Sequence, residues 1–142
     1  MQIKTIELER IWIKSHHIKN KKKRCDIIQL AKDYKLSGFM LPGKPGVICL
    51  EGLKENTQHS WKTIKSWLWQ KIHIVSIEHE TLPEEAEDEI PKFCRFKGFR
   101  ELLFMEGAEE GKADVKMSMS LFIKYLDDNK SQYMKKELFG FD

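Results

Sequence analysis

The sequence predicts an α+β domain in which strands and helices follow one another in the order βαββαβ. Apolar residues alternate with polar ones in two separate stretches, as in half-buried strands, and recur every three or four positions in two others, as in amphipathic helices. A Gly- and Pro-rich segment at residues 42–46 joins two apolar runs and indicates a hairpin. With right-handed crossovers, these elements form a four-stranded antiparallel sheet in the order 4-1-3-2 with both helices on one face, the ferredoxin-like arrangement.

The first strand is predicted at residues 8–15, where apolar and polar side chains alternate. Ile11 and Ile13 fall on one face and are expected to point into the core. The opposite face carries Arg10, Trp12 and Lys14. His16 and His17 follow at the end of the strand, and because successive strand side chains point to opposite faces, we do not expect them to bind one metal ion.

The two helices are predicted at residues 22–35 and 54–68, from apolar stripes that include Ile27 in the first and Trp61 and Ile64 in the second. Residues 19–24 are basic except for one asparagine. This run is either a solvated first helical turn or a phosphate-binding patch.

The hairpin spans residues 37–52. Pro42 and Gly43 suit a type II turn, and Lys44 is expected at its exposed tip. The fourth strand is predicted at residues 71–79, where alternation resumes. Residues 8–80 therefore make up the ferredoxin-like core.

The acidic stretch at residues 81–92 carries five carboxylates between two prolines and is predicted to be a loop or linker that is mobile at residues 83–91, because its carboxylates repel one another and need water. Residues 93–142 form a C-terminal extension that is too apolar for a disordered tail. We expect a mostly helical extension with Ser118 or Ser120 as an N-cap, docked on the core so that Phe96 and Phe122 are buried and residues 1–142 form a single domain.

Composition restricts the class of protein. The chain has 41% hydrophobic and 11% aromatic residues, which favours a globular domain, and it has no apolar run long enough to span a bilayer. Residues 1–10 do not resemble a secretory signal. Three widely spaced cysteines without a C-x-x-C motif are typical of reduced, mostly buried thiols, which predicts an intracellular protein, nuclear or cytoplasmic.

The sequence shows no recognisable set of catalytic residues. An enzyme would require a nucleophile with a base in reach, two carboxylates in different environments, or a metal-binding set. None of these occurs at a diagnostic spacing, so we predict no catalytic activity, no cofactor and no metal ion.

Charge is distributed unevenly. The net charge is +3, but residues 1–80 carry +7 and residues 81–142 carry −4. The excess of cations in the first part is compatible with a polyanionic partner such as RNA, and also with solvated lysines on a helix.

Several short runs of this sequence resemble one family. They are Glu9 to Ile18, Ser37 to Phe39, Pro42 to Gly46, Glu51 and Gly52, Trp61, and Trp69 to Ile72. They look like the C-terminal domain of RWD domain-containing protein 2, which is similar to the C-terminal domain of pre-mRNA-processing factor 3. The resemblance implies a ferredoxin-like core and, from the splicing relative, binding of small nuclear RNA in the spliceosome or another ribonucleoprotein. In the closer relatives an RWD domain usually precedes this one.

Two functions follow as hypotheses. The first is a non-catalytic module that binds single-stranded or structured RNA, with bases stacked on the outer face of the first strand and cations on the phosphates. Its predicted RNA-binding residues are Arg10, Trp12, Lys14, His16, His17, Lys19 and Lys44. The alternative for Trp12 is that it packs under the docked extension, covered by residues 93–104.

The second hypothesis is a protein-interaction or scaffold domain without nucleic-acid binding. The acidic stretch and the aromatic extension favour it, as does the usual pairing of this domain with an RWD domain. A protein partner is then expected in place of RNA, and the sequence makes no prediction of oligomeric state.

Overall fold

The computed structural model describes residues 3–104 and 118–140, so two parts of the predicted extension, 105–117 and 141–142, lie outside the described residues. Its elements are β1 (Thr5–Ser15), α1 (Lys21–Asp33), β2 (Ser37–Leu41), β3 (Gly46–Leu53), α2 (Lys54–Lys65), β4 (Ile72–Pro83), a 3₁₀ helix (Glu84–Glu89), α3 (Ile90–Phe93), β5 (Phe99–Glu101), α4 (Met119–Asp128) and α5 (Met134–Phe139). None of the described helices is long and apolar enough to cross a membrane.

The sheet has the strand order β4-β1-β3-β2-β5. Its first four members are antiparallel neighbours in the predicted order, but the expectation of a four-stranded, purely antiparallel sheet is wrong. The short strand β5 pairs parallel to β2, with Gly38 opposite Phe99 and Met40 opposite Glu101. The outer edge of β2 would otherwise have unpaired backbone groups, and the extension supplies their partners.

One face of the sheet packs against α1 and α2. Ile11 and Ile13 are fully buried there, as alternation predicts, together with Ile27 from α1 and Ile64 from α2. This layer of aliphatic side chains is the core expected for a sheet with two helices on one side.

The second face is covered by the C-terminal extension. Phe96, Phe122 and Leu126 form a fully buried cluster with Trp12 and Phe39 from the sheet. The ring of Trp12 meets those of Phe39 and Phe96 edge to face, with centroids 5.8 and 6.0 Å apart. The extension therefore closes the face that four strands and two helices alone leave exposed to water.

The acidic stretch differs from the prediction. Strand β4 continues to Pro83 because it pairs with β1 along its whole length, and a 3₁₀ helix and α3 follow in place of a loop. Ala86 and Ile90 are buried against Leu8 and Leu82. These two side chains are four positions apart and face the sheet, while the carboxylates around them remain exposed, so a strongly acidic sequence still forms ordered structure.

The hairpin tip agrees with the prediction in two respects. Gly43 has a φ of 116°, a conformation that favours glycine, and Lys44 after it is exposed. The cysteines are all free thiols: Cys49 is buried and Cys94 half-buried, but Cys25 is exposed on α1.

Candidate nucleic-acid interface

The hairpin tip lies beside the residues that follow β1. Ile18 and Gly43 exchange two backbone hydrogen bonds of 2.9 Å, which brings Lys44 next to the turn that carries His17 and Lys19. On the other side, the backbone N–H of His16 donates to the carbonyl of Lys71 at 3.0 Å. Three segments that are distant in the sequence thus meet at one end of the sheet.

The start of α1 completes this surface. The Asn20 side chain accepts a hydrogen bond from the backbone N–H of Lys23 at 3.0 Å and caps the helix. The Lys23 ammonium donates to the carbonyl of Leu68 and lies 4.5 Å from the centroid of the Trp69 ring. The Trp69 indole donates in turn to the carbonyl of Ile64 at 2.6 Å, so this tryptophan is held in place from both sides.

We call the basic side chains around this point the end patch. Its members are His16, His17, Lys19, Lys23, Lys44 and Lys71. Five of them, all except Lys44, line a hollow of about 40 Å³, which has room for about three water molecules and so suits a phosphate group better than a nucleobase. None of the described residues that line this hollow is acidic.

The electrostatics of the end patch favour an anion. Partial burial lowers the pKa of His17, and the charges of His16, Lys19, Lys23 and Lys44 lower it further. These cations are therefore close enough to repel one another, and a bound phosphate would relieve that repulsion.

Trp12 does not offer a stacking surface. Its ring is 0% exposed, and its indole N–H donates to Glu78 Oε1 at 2.7 Å. Base stacking requires an exposed ring, but the extension covers the ring of Trp12. Phe96 is the residue of the predicted covering segment that contacts it. The structure thus agrees with the alternative in which Trp12 packs under the extension.

The two predicted cations beside Trp12 also have partners inside the fold. Arg10 is 9% exposed and donates to Glu51 at 2.7 and 2.9 Å and to Glu78 at 3.1 Å. Although burial opposes its charge, these carboxylates raise the pKa of Arg10 above its ordinary value. The Lys14 ammonium donates to the carbonyl of Leu138 at 2.5 Å and lies 5.6 Å from the Phe139 ring centroid. Lys14 therefore holds the extension on the sheet, whereas Arg10 pairs with carboxylates of β3 and β4.

The structure brings together four of the seven predicted residues, His16, His17, Lys19 and Lys44, and places the other three under the extension. Sequence reasoning missed Lys23, Trp69 and Lys71 as members or neighbours of this site. The basic run at 19–24 was a signal for Lys23. For Lys71 there was no local signal, because its position depends on the pairing of β4 with β1.

Comparison with known proteins gives a match to one protein family. Residues 11–132 match the sequence profile of the family described as small nuclear ribonucleoprotein Prp3, C-terminal domain. A curated relative, phomoidride biosynthesis cluster protein F from a fungal species (strain ATCC 74256), is 39% identical over 66 residues, which are 46% of this chain and 22% of that protein. The chain therefore spans less than a quarter of that relative's length.

Comparison with solved structures gives one likeness of fold at a TM-score of 0.50 and one weaker match. A bacterial light-regulated adenylyl cyclase matches 90% of this chain and 35% of its own, with a TM-score of 0.50 and 17% identity. An acylphosphatase from Bacillus subtilis matches 67% of this chain and 98% of its own, with a TM-score of 0.42 and 15% identity. The resemblance to the C-terminal domain of RWD domain-containing protein 2 stays a prediction.

Proposed function

Because the chain belongs to the family of the small nuclear ribonucleoprotein Prp3 C-terminal domain, we propose that it is a non-catalytic RNA-binding module that acts in the assembly of a ribonucleoprotein particle. The family supports a role in spliceosomal assembly, and with it a location in the nucleus. RNA binding is the finer part of the proposal and depends on the end patch.

The proposal of RNA binding depends on one observation. Six basic side chains meet around the hollow, and none of the described residues that line it is a carboxylate. Phosphate contacts supply most of the non-specific affinity for nucleic acids, and lysine is well suited to them. Residues from the segment after β1, the hairpin tip, α1 and the segment before β4 contribute, so the patch is a product of the fold and not of one basic run.

The geometry also indicates how RNA would be read. The hollow fits a phosphate, Trp12 is buried, and the described aromatic beside the patch, Trp69, is partly covered by Lys23. Contacts to the backbone position a nucleic acid but carry little sequence information. We therefore expect binding with weak sequence preference and strong salt dependence.

Two aromatic side chains of the extension do not support the alternative of a protein-interaction domain without nucleic-acid binding. Phe96 and Phe122 are buried against the sheet, at 1% and 0% exposure, and so they present no surface to a partner. The acidic stretch likewise contributes Ala86 and Ile90 to the core.

A salt titration tests the proposal. The affinity of the protein for a fluorescein-labelled single-stranded RNA is measured by anisotropy at several salt concentrations. For single strands, log K falls against log salt with a slope of about −0.7 per phosphate neutralised, so Lys19→Gln, Lys44→Gln and Lys71→Gln should each flatten the slope by roughly 0.7.

Matched controls are Lys32→Gln on α1 and Lys62→Gln on α2, which remove the same charge from exposed positions away from the patch. Equal losses for patch and control variants would mean that net charge alone attracts the RNA. A wild-type affinity without salt dependence would overturn the proposal.

A further inference from the structure

A second basic surface lies between β1, the segment after α3 and the C-terminal end of α4. It is a cleft of about 710 Å³, far larger than the hollow at the end patch, and the two share no lining residue. We call it the basic cleft. Its cations are Arg10, Arg95, Lys97, Arg100 and Lys130.

The two inner arginines have partners within the fold. Arg10 is paired with Glu51 and Glu78, as described above. Arg95 Nη1 donates to Ser131 Oγ at 3.1 Å and to Tyr133 Oη at 2.6 Å, and its guanidinium lies 5.5 Å from the Tyr133 ring centroid. These groups shape the wall of the cleft and are not free to bind a ligand.

The outer cations differ. Lys97, Arg100 and Lys130 are exposed, and none forms a salt bridge with a carboxylate of residues 3–104 or 118–140. Three positive charges without a carboxylate partner among the described residues thus line the rim of a cleft large enough for several side chains. Such a rim favours a ligand that carries negative charge.

The aromatic side chain at the floor of the basic cleft is not suited to stacking with a nucleobase. Tyr125 is half-buried, and burial raises its pKa to about 12. Its ring stacks against Phe96 with the centroids 6.0 Å apart, and its edge contacts belong to Phe39 and Phe104. The ring is part of the core beneath the cleft, so it does not present an open face on which a base could stack.

The rim also argues against a continuous phosphate chain. Glu80 and Asp128 stand among the cations, and each would repel a polymer with a negative charge on every unit. Phe93, which is 40% exposed, adds an apolar surface to the rim of the cleft. A peptide carries its acidic side chains at intervals, so its carboxylates can face the cations and avoid Glu80 and Asp128 while an apolar side chain contacts Phe93.

We propose that the basic cleft docks an acidic segment of a protein partner. Carboxylates of that segment face Lys97, Arg100 and Lys130, and an apolar side chain rests on Phe93. The interaction is separate from RNA binding at the end patch, so one domain can contact an RNA and a protein at the same time.

The probe for this proposal is a fluorescein-labelled peptide of twelve residues, half of them glutamate, interspersed with leucine and serine. Its affinity for the full chain is measured by anisotropy, and its position by amide chemical-shift changes in NMR spectra of the labelled protein. A peptide in which glutamine replaces every glutamate is the matched probe without charge. The triple variant Lys97→Glu, Arg100→Glu, Lys130→Glu should weaken binding of the acidic peptide about tenfold or more, because charge reversal turns attraction into repulsion.

The control variant is Lys32→Glu, Lys54→Glu, Lys62→Glu, which changes the net charge equally at exposed positions on α1 and α2. It should weaken the peptide less than about threefold and leave the shift pattern at residues 93–100 and 125–130 intact. Phe93→Ser should lower affinity with no change in salt dependence. RNA affinity should survive the cleft variant with no more loss than the control shows.

The proposal is overturned if the wild-type protein does not bind the acidic peptide, if the cleft and control variants lose affinity equally, or if the shift changes fall at the end patch instead of the cleft. If the cleft variant abolishes RNA binding and spares the peptide, the cleft is a nucleic-acid site and the docking proposal fails. Thermal unfolding of each variant confirms that a loss of binding is not a loss of fold.

Discussion

The carboxylate of Glu51 accepts a hydrogen bond from the backbone N–H of Phe96 at 3.0 Å, although the two residues are 45 positions apart. The same fully buried carboxylate accepts from the N–H of Arg95 at 3.0 Å and from Arg10 Nε at 2.9 Å. One side chain on β3 therefore joins the extension to the sheet and neutralises the buried arginine between them. The position of the extension depends on these polar contacts as well as on apolar packing.

Glu51→Gln should destabilise the domain by about 3–5 kcal/mol, because it leaves the charge of Arg10 buried without its main partner. Urea unfolding followed by circular dichroism measures the effect. Glu55→Gln, at an exposed position on α2, removes the same charge and should change the free energy of unfolding by less than about 0.5 kcal/mol. Equal values for the two variants would show that the buried carboxylate has no special role.

Trp12→Ala should lower the free energy of unfolding by about 3–5 kcal/mol, since it removes a fully buried ring from between Phe39 and Phe96. Trp12→Phe keeps a ring but loses the hydrogen bond to Glu78, and it should cost less. Differential scanning fluorimetry gives the stability, and RNA titration of the Phe variant gives the affinity. An affinity loss in the folded Phe variant larger than in Lys32→Gln would restore a direct role in RNA binding.

Glu78 predicts a pH dependence of stability. Burial opposes its charge, but hydrogen bonds from Tyr133, Trp12 and Arg10 outweigh burial and lower its pKa from the ordinary value of 4.5. The unfolded chain then binds the proton first as the pH falls, so this contribution is present above about 4.5 and is lost through the lower folded pKa.

We expect Glu78→Gln to flatten the fall of stability below pH 4.5 in chemical denaturation. The matched variant Glu80→Gln changes the next exposed carboxylate on the same face of β4 and should keep the wild-type profile. Parallel profiles for wild type and Glu78→Gln would contradict the hydrogen-bond account.

His17 predicts a pH dependence of RNA affinity. Its pKa is below the ordinary 6.5 in the free protein, and a bound phosphate would favour the charged ring. Affinity should therefore rise about fivefold as the pH is lowered through this range, equivalent to about 1 kcal/mol for one added charge contact. Anisotropy titrations at constant ionic strength measure it.

His17→Gln should remove most of this rise, whereas His73→Gln, at an exposed position on β4, should preserve it. The rise would then be assigned to the end patch. If both variants behave as the wild type, the titrating group lies elsewhere.

Ile90 tests the order of the acidic stretch. Its side chain is 5% exposed and packs with Leu8 and Leu82, so Ile90→Ala should cost about 2 kcal/mol, whereas Glu87→Ala at an exposed position should cost almost nothing. Hydrogen exchange should show protection near Ile90 in the wild type. Rapid exchange throughout 84–93 would support the mobile loop that the sequence predicts.

Local sequence patterns were sufficient to predict the core but not the residues of the candidate site. Alternation assigned Ile11 and Trp12 to opposite faces, and turn chemistry placed Lys44 at an exposed tip; both predictions are confirmed. The prediction of a loop at 81–92 is wrong. The density of charge suggested that water solvates the whole stretch, but Ala86 and Ile90, four positions apart, bury one side of it against the sheet.

By itself, the sequence determined the βαββαβ order of the first six elements, the side of the sheet on which the residues of β1 lie, and the exposed hairpin tip between β2 and β3. These properties depend on neighbours within a few positions, through backbone preferences and the period of two or 3.6 residues. Only the tertiary structure decided that the extension covers Trp12, that Glu51 meets Phe96, and that Lys71 comes near His17. Those contacts join distant segments, and their positions follow from how whole faces pack to exclude water and to satisfy buried polar groups, which no local pattern encodes.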